Sequence, residues 1–159
     1  MSDHYDTHTQ SVTYCSSIQF KFTYPLYFVT LQKRIIRIMT GSRKRDSCRK
    51  LFTSLKILPF PSLYIFFLLR VVIRNRELFL TNNETHKYGT RQHHNLHYPP
   101  TNLKKYQTGV FYMGVKIYYS LPTFIKRESN NNIKKFESLL KKFLLENSFY
   151  SLDEFYNFT

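Results

Sequence analysis

Four histidines stand within one stretch, HKYGTRQHHNLHYPP, as His86, His93, His94 and His97. His93 and His97 have the i, i+4 separation at which one helix can turn two imidazoles toward a zinc ion. A hydrolytic zinc helix also needs a glutamate directly after the first histidine, and His94 stands there instead. No cysteine or acid completes a shell nearby, so the stretch reads as a solvated or stacked loop and no metal is expected. The carboxylates are the next candidates, because two-metal nucleotidyl transfer needs acids held close together. The only adjacent pair is Asp153–Glu154. Neighbours on a helix point about 100° apart and share no face, whereas both acids suit the first turn of a helix capped by Ser151, where the dipole favours negative charge. The four glycines are scattered and build no phosphate loop. No G-x-S-x-G and no Cys–His pairing is present. No catalytic residue, cofactor or small-molecule substrate is expected.

The strongest chemical signal is charge. LQKRIIRIMTGSRKRDSCRKLF, residues 31–52, holds eight cations (Lys33, Arg34, Arg37, Arg43, Lys44, Arg45, Arg49, Lys50) and one acid, Asp46. That is a net +7, half of the formal +14 of the chain. Such a segment can neutralise phosphates without reading bases, can lie on a membrane surface, or can be a solvated face beside a small core. The basic balance of the rest of the chain tilts this toward polyanion contact. Tyr88 and Arg91 in the histidine-rich loop are further candidates, since aromatic and arginine planes stack on unpaired bases.

The elements that must position these residues read as helices. Leu31, Ile35, Ile38 and Met39 recur at helical spacing, with Lys33, Arg34 and Arg37 on the remaining faces, and Gly41 is a stop signal. Ser47 can cap a second helix with Leu51, Phe52, Leu55 and Leu58 as its apolar stripe, ended by Pro59. A third, strongly apolar helix opens at Pro61 or Ser62 and runs to about Leu80. Residues 81–105 form a long polar loop in which Pro99 and Pro100 block regular structure. A helix from Gly109 to Leu121 competes with a strand reading, because β-branched and aromatic residues are frequent there. An asparagine then caps a helix with Ile133, Phe136, Leu140, Phe143 and Leu144 on one face and Lys134, Lys135, Glu137, Lys141 and Lys142 on the other. The alternation in QFKFTY, residues 19–24, permits a short N-terminal strand. The expected fold is all-α, an array of about five to six helices with one long irregular loop.

Composition agrees. The 159 residues are 42% hydrophobic and 18% aromatic with no tryptophan, enough for one domain with a real core and too aromatic for long disorder. Cys15 and Cys48 form no metal or disulfide pattern and read as free thiols of a reducing, intracellular compartment, nucleus or cytoplasm. The opening MSDHYDTHTQ lacks the basic start and apolar run of a secretory signal. The greasiest stretch, residues 57–73, has a clean apolar run of seven residues, 63–69, against the roughly 20 that a spanning helix needs. It is expected in the core.

Several short motifs in order resemble a known family. LQKRIIRIMTGSRKRDSCRKLFTSLKIL, PSLYIF, HKYGTR, NLHYP, MGVKIYYSLPTFIK and FESLLKKFLLENSFYSLDEF resemble the C-terminal, post-palm part of the reverse transcriptase of jockey-like non-LTR (LINE-type) retrotransposons. The resemblance covers residues 28–158 and leaves 1–27 as a poorly structured or eroded segment. It implies an origin in an RNA-directed DNA polymerase. In that family an endonuclease precedes the palm, and the palm carries an aromatic-Ala-Asp-Asp motif for its metal ions. This chain has no Asp-Asp pair, so the resemblance implies no polymerase activity and supplies no catalytic residue. Tyr119 stands where the family pattern has asparagine, and His93 and His94 depart from it too. The resemblance implies at most non-specific RNA or DNA binding through the basic segment. The competing readings are a fragment with no cellular role and a membrane-associated protein using residues 63–73.

Overall fold

The computed structural model describes residues 25–85, 95–98, 102, 104–129 and 132–158. The segment 19–24, Cys15, Tyr88, Arg91, His86, His93 and His94 lie outside the described residues. In chain order the α-helices are α1 (Pro25–Thr40), α2 (Cys48–Ser54), α3 (Phe60–Arg74), α4 (Asn82–Thr85), α5 (Lys104–Gln107), α6 (Val110–Tyr119), α7 (Thr123–Glu128), α8 (Ile133–Asn147) and α9 (Leu152–Phe158). The array is all-α. Its longer members are the six expected helices, and α4, α5 and α7 are short additions. Among the described residues there is no strand, only an isolated antiparallel bridge between Thr81 and Leu96.

The core forms where α3, α6 and α8 meet. α3 contributes Ile65, Leu68, Leu69, Val72 and Ile73, α6 contributes Met113, Val115 and Ile117, and α8 contributes Phe136, Leu140, Phe143 and Leu144. Residues 63–73 therefore belong to the central helix of the core. Among the described residues no helix is long and apolar enough to cross a membrane. α3 and α6 approach closely because Gly114 has no side chain: a Cβ there would lie 2.6 Å from Val72 Cγ2. α3 ends at Arg74, short of the expected Leu80. Asn75 leaves helical geometry at φ −117°, ψ 46°, and its side-chain amide donates to the Val71 carbonyl at 2.9 Å. The same carbonyl also accepts from the Asn75 backbone N–H at 3.0 Å, so backbone and side chain of Asn75 together close the last turn. A 3-10 turn follows at Arg76–Leu78.

The sequence 109–121 resolves as helix and not strand, since Val115 and Tyr118 pack at helical spacing beside Met113 and Ile117. α7 escaped the sequence reading because six residues are too few to show periodicity. In α8, Asn132 caps through its side chain, which accepts from the Lys135 N–H at 3.1 Å. The expected apolar face holds except at Ile133, which is exposed.

The long loop is pinned at its described ends. Asn82 N–H donates to the Asn95 carbonyl at 2.9 Å and His97 N–H to the Leu80 carbonyl at 2.7 Å. Leu96 is buried, and its carbonyl accepts from the Tyr119 hydroxyl at 2.7 Å. Tyr119 therefore has a structural task.

α1 differs most from expectation. It opens at Pro25 and buries Val29 and Ile36. Ile36 joins Cys48 and Phe52 of α2 in a second small core, edged by Leu51, Ile57 and Tyr150. The expected apolar stripe faces the other way: Ile35, Ile38 and Met39 are 55%, 73% and 65% exposed. The reason is polar. Gln32 docks α1 on the start of α3, donating to the Leu58 carbonyl at 3.4 Å and accepting from the Phe60 N–H at 2.7 Å. That pairing sets the rotation of the helix.

Candidate nucleic-acid interface

The basic segment occupies α1, the turn 41–47 and α2. The turn is shaped by Gly41 at φ +64° and by Asp46, whose carboxylate accepts from the Arg43 N–H at 2.9 Å. A positive φ suits glycine because no Cβ meets the following carbonyl. Asp46 thus serves as a turn former and offsets some local charge.

The eight cations divide into two sets. Lys33, Arg37 and Arg49 are engaged by other groups of the chain. Tyr150, at the start of the C-terminal segment, receives two of them: the Lys33 ammonium sits 3.6 Å from its ring centroid and the Arg49 guanidinium 4.7 Å. Arg49 also donates to the Asn147 carbonyl at 3.0 Å and pairs with Glu154. Burial pushes the Glu154 carboxyl up, but the Tyr150 N–H bond at 2.8 Å and the neighbouring Arg49 outweigh it and hold it below its ordinary value. Burial holds the Lys33 ammonium below its ordinary value and pushes the Tyr150 phenol up. Arg37 donates to the Asp46 carbonyl at 3.0 Å.

Arg34, Arg43, Lys44, Arg45 and Lys50 form the other set. All five are exposed, and among the described residues none has an ion-pair partner. Arg43, Lys44 and Arg45 are consecutive on the turn, with Arg34 and Lys50 on the helices entering and leaving it. This is a compact cationic rim on ordered backbone, with its counter-charges left to solvent or to a polyanion. Arg91 lies outside the described residues and adds nothing to this geometry.

The sequence reading did not find Tyr150, Glu154 and Gln32, which turn part of the basic segment into structure. Glu154 stands 105 positions after Arg49. The one local clue was the S-x-x-E spacing of Ser151 and Glu154: the Ser151 hydroxyl accepts from the Glu154 N–H at 3.0 Å and so caps the helix, while the Glu154 carboxylate accepts from the Tyr150 N–H.

Among the described residues, the rest of the surface offers little for chemistry. An apolar cleft of about 150 Å³ is lined by Leu78, Phe79, Leu80, His97, Phe111 and Val115. It is small beside the roughly 300–1,000 Å³ of ligand pockets, and its polar side chain His97 is bonded to Asn82. Among the described residues no group of three His, Cys, Asp or Glu is placed to hold a metal. Cys48 is a buried free thiol.

Comparison with known proteins adds no relative: no family model, no curated protein and no solved structure matches the chain.

Proposed function

We propose that this chain derives from the post-palm part of a LINE-type reverse transcriptase and provides sequence-independent binding to RNA or DNA. The observation that carries the binding is the set of five exposed cations on and beside the turn 41–47, which have no ion-pair partner among the described residues. Of the other three, Arg49 is paired with Glu154 while Lys33 and Arg37 are committed to the Tyr150 ring and the Asp46 carbonyl, whereas these five can release counterions from a phosphate backbone. The ordered motifs that resemble the polymerase tail support the origin, and no Asp-Asp pair is present to hold catalytic metal ions. The chain acts as a binding module and not as an enzyme.

Fluorescence anisotropy with a labelled single-stranded RNA, across a salt series, tests this. Affinity should fall steeply with salt. Replacing Arg43, Lys44 and Arg45 by alanine should weaken binding and flatten the log–log salt slope by about 2, on the order of 0.7 for each phosphate no longer neutralised. Salt-independent binding, or an unchanged slope in the triple variant, would sink the proposal.

A further inference from the structure

The outward face of α1 is more apolar than a solvated helix face should be. Tyr27, Leu31, Ile35 and Ile38 follow the i, i+4, i+8, i+11 spacing that keeps residues on one side of a helix. Tyr27, Ile35 and Ile38 are exposed, as are Phe28 and Met39 beside them. Val29 and Ile36, on the opposite side, are buried at 3% each. Among the described residues the fold uses the inward face and leaves an apolar ridge uncovered. Single exposed hydrophobes are ordinary, but a contiguous ridge marks an interaction surface.

The ridge does not stand alone. Arg34 lies beside it, and the turn carrying Arg43, Lys44 and Arg45 follows its C-terminal end. Each candidate occupant must satisfy both the apolar and the cationic components. A nucleic acid takes the cations and leaves Ile35, Ile38 and Met39 without a complement. A second copy would pair identical faces and bring together two chains that each carry +14, with no acid on the ridge to offset either set of cations. An anionic bilayer satisfies both at once. Its interface admits an apolar helix face to a depth of about 5–10 Å, while cations lie level with the headgroup phosphates. Aromatic and aliphatic residues on one face with arginines at its edge are the pattern of such helices.

We propose that α1 is a peripheral docking face for anionic lipid bilayers, with Tyr27, Ile35, Ile38 and Met39 entering the interface and Arg34, Arg43, Lys44 and Arg45 contacting lipid phosphates. This goes beyond the nucleic-acid reading, because it uses apolar residues that phosphate binding leaves idle. It differs equally from membrane spanning through residues 63–73, which the core consumes.

The test is co-sedimentation of the full chain with phosphatidylcholine vesicles, with and without about one third phosphatidylserine. The chain should pellet with the anionic vesicles and roughly tenfold less with neutral ones. The variant Ile35→Ser/Ile38→Ser/Met39→Ser should lose roughly tenfold or more of vesicle binding while its RNA anisotropy stays unchanged. These three side chains are exposed, so its helical circular dichroism and melting should match the parent. Failure of the parent to pellet with anionic vesicles overturns the proposal, as does undiminished pelleting of the serine variant. A dimer that the serine variant dissolves, with no vesicle binding by the parent, would assign the ridge to a second copy and overturn it too. RNA binding can persist or fail in any of these cases, so the two readings fall separately.

Discussion

At the residue scale, a cation in a basic segment is not one kind of object. Arg49 and Arg45 are four positions apart, yet they do different work. Arg49 lies over the Tyr150 ring, donates to the Asn147 carbonyl and pairs with Glu154. Arg45 is exposed and has no ion-pair partner among the described residues. Arg49 is partly open to solvent, so its ion pair alone is worth only a few tenths of a kcal/mol. The cation–π contact adds about 0.5–1 kcal/mol and the carbonyl bond a similar amount. Arg49→Ala should therefore destabilise the fold by about 1–2 kcal/mol, and urea denaturation should show a lower midpoint. Alanine at Arg43, Lys44 and Arg45 together should leave that midpoint nearly unchanged or raise it, because removing three neighbouring like charges relieves repulsion. Equal midpoints for Arg49→Ala and the parent would show that the tail is not fastened to α2 in this way.

At the scale of elements, a long amphipathic helix advertises its inward face and a mixed one does not. The buried face of α8 was legible because Phe136, Leu140, Phe143 and Leu144 are apolar while Lys134, Lys135, Lys141 and Lys142 are not. α1 carries apolar residues on both sides, so periodicity alone chose the wider stripe of Leu31, Ile35, Ile38 and Met39. The structure chose Val29 and Ile36 because the amide of Gln32 fits the start of α3. A pairing of that kind depends on residues 26 and 28 positions away and leaves no local pattern. The exposed basic turn was legible for the opposite reason: charge density with no apolar neighbours has nowhere to go but water. Tyr150 and Glu154 were hidden by distance in sequence. The α3–α6 crossing shows a similarly silent requirement. Glycine within a helix costs about 0.8–1 kcal/mol relative to alanine, so Gly114→Ala gains that much locally. The new methyl would meet the Val72 methyl at 2.6 Å, and Val72 is fully buried and stiff at χ1. Overpacking of this kind costs about 1–3 kcal/mol, so the clash should win and Gly114→Ala should lower the melting temperature. A higher melting temperature would mean the two helices can separate freely at this crossing.

At the scale of the whole molecule, the question is whether this chain stands alone as a fold. Its main core joins α3, α6, α7, α8 and the C-terminal segment through Phe149 and Phe155, and the smaller α1–α2 core is tied on by Tyr150. A shared core of that kind predicts one cooperative helical melt, with α1 and α2 unfolding together with the rest. Its pH dependence should follow from groups in different parts of the array. Burial raises the phenols of Tyr64 on α3 and Tyr156 on α9 from 10 to about 12. A folded-state pKa above the unfolded one means the folded chain holds those protons more tightly. The resulting stability is complete below pH 10 and declines as pH rises from 10 toward 12. Glu154 behaves oppositely: its folded pKa lies below the ordinary 4.5, so its contribution is present above 4.5 and declines as the pH drops further. Circular-dichroism melts from acid to alkali should give a plateau bounded on both sides. On the alkaline side, the last part of the absorbance of the chain's 13 tyrosines should appear together with unfolding, because the phenols of Tyr64 and Tyr156 ionise freely only once the core opens. Tyrosinate absorbance that develops fully near pH 10 in a chain still folded by circular dichroism would place both phenols in water. α9 would then be held in the core by Phe155 without help from Tyr156.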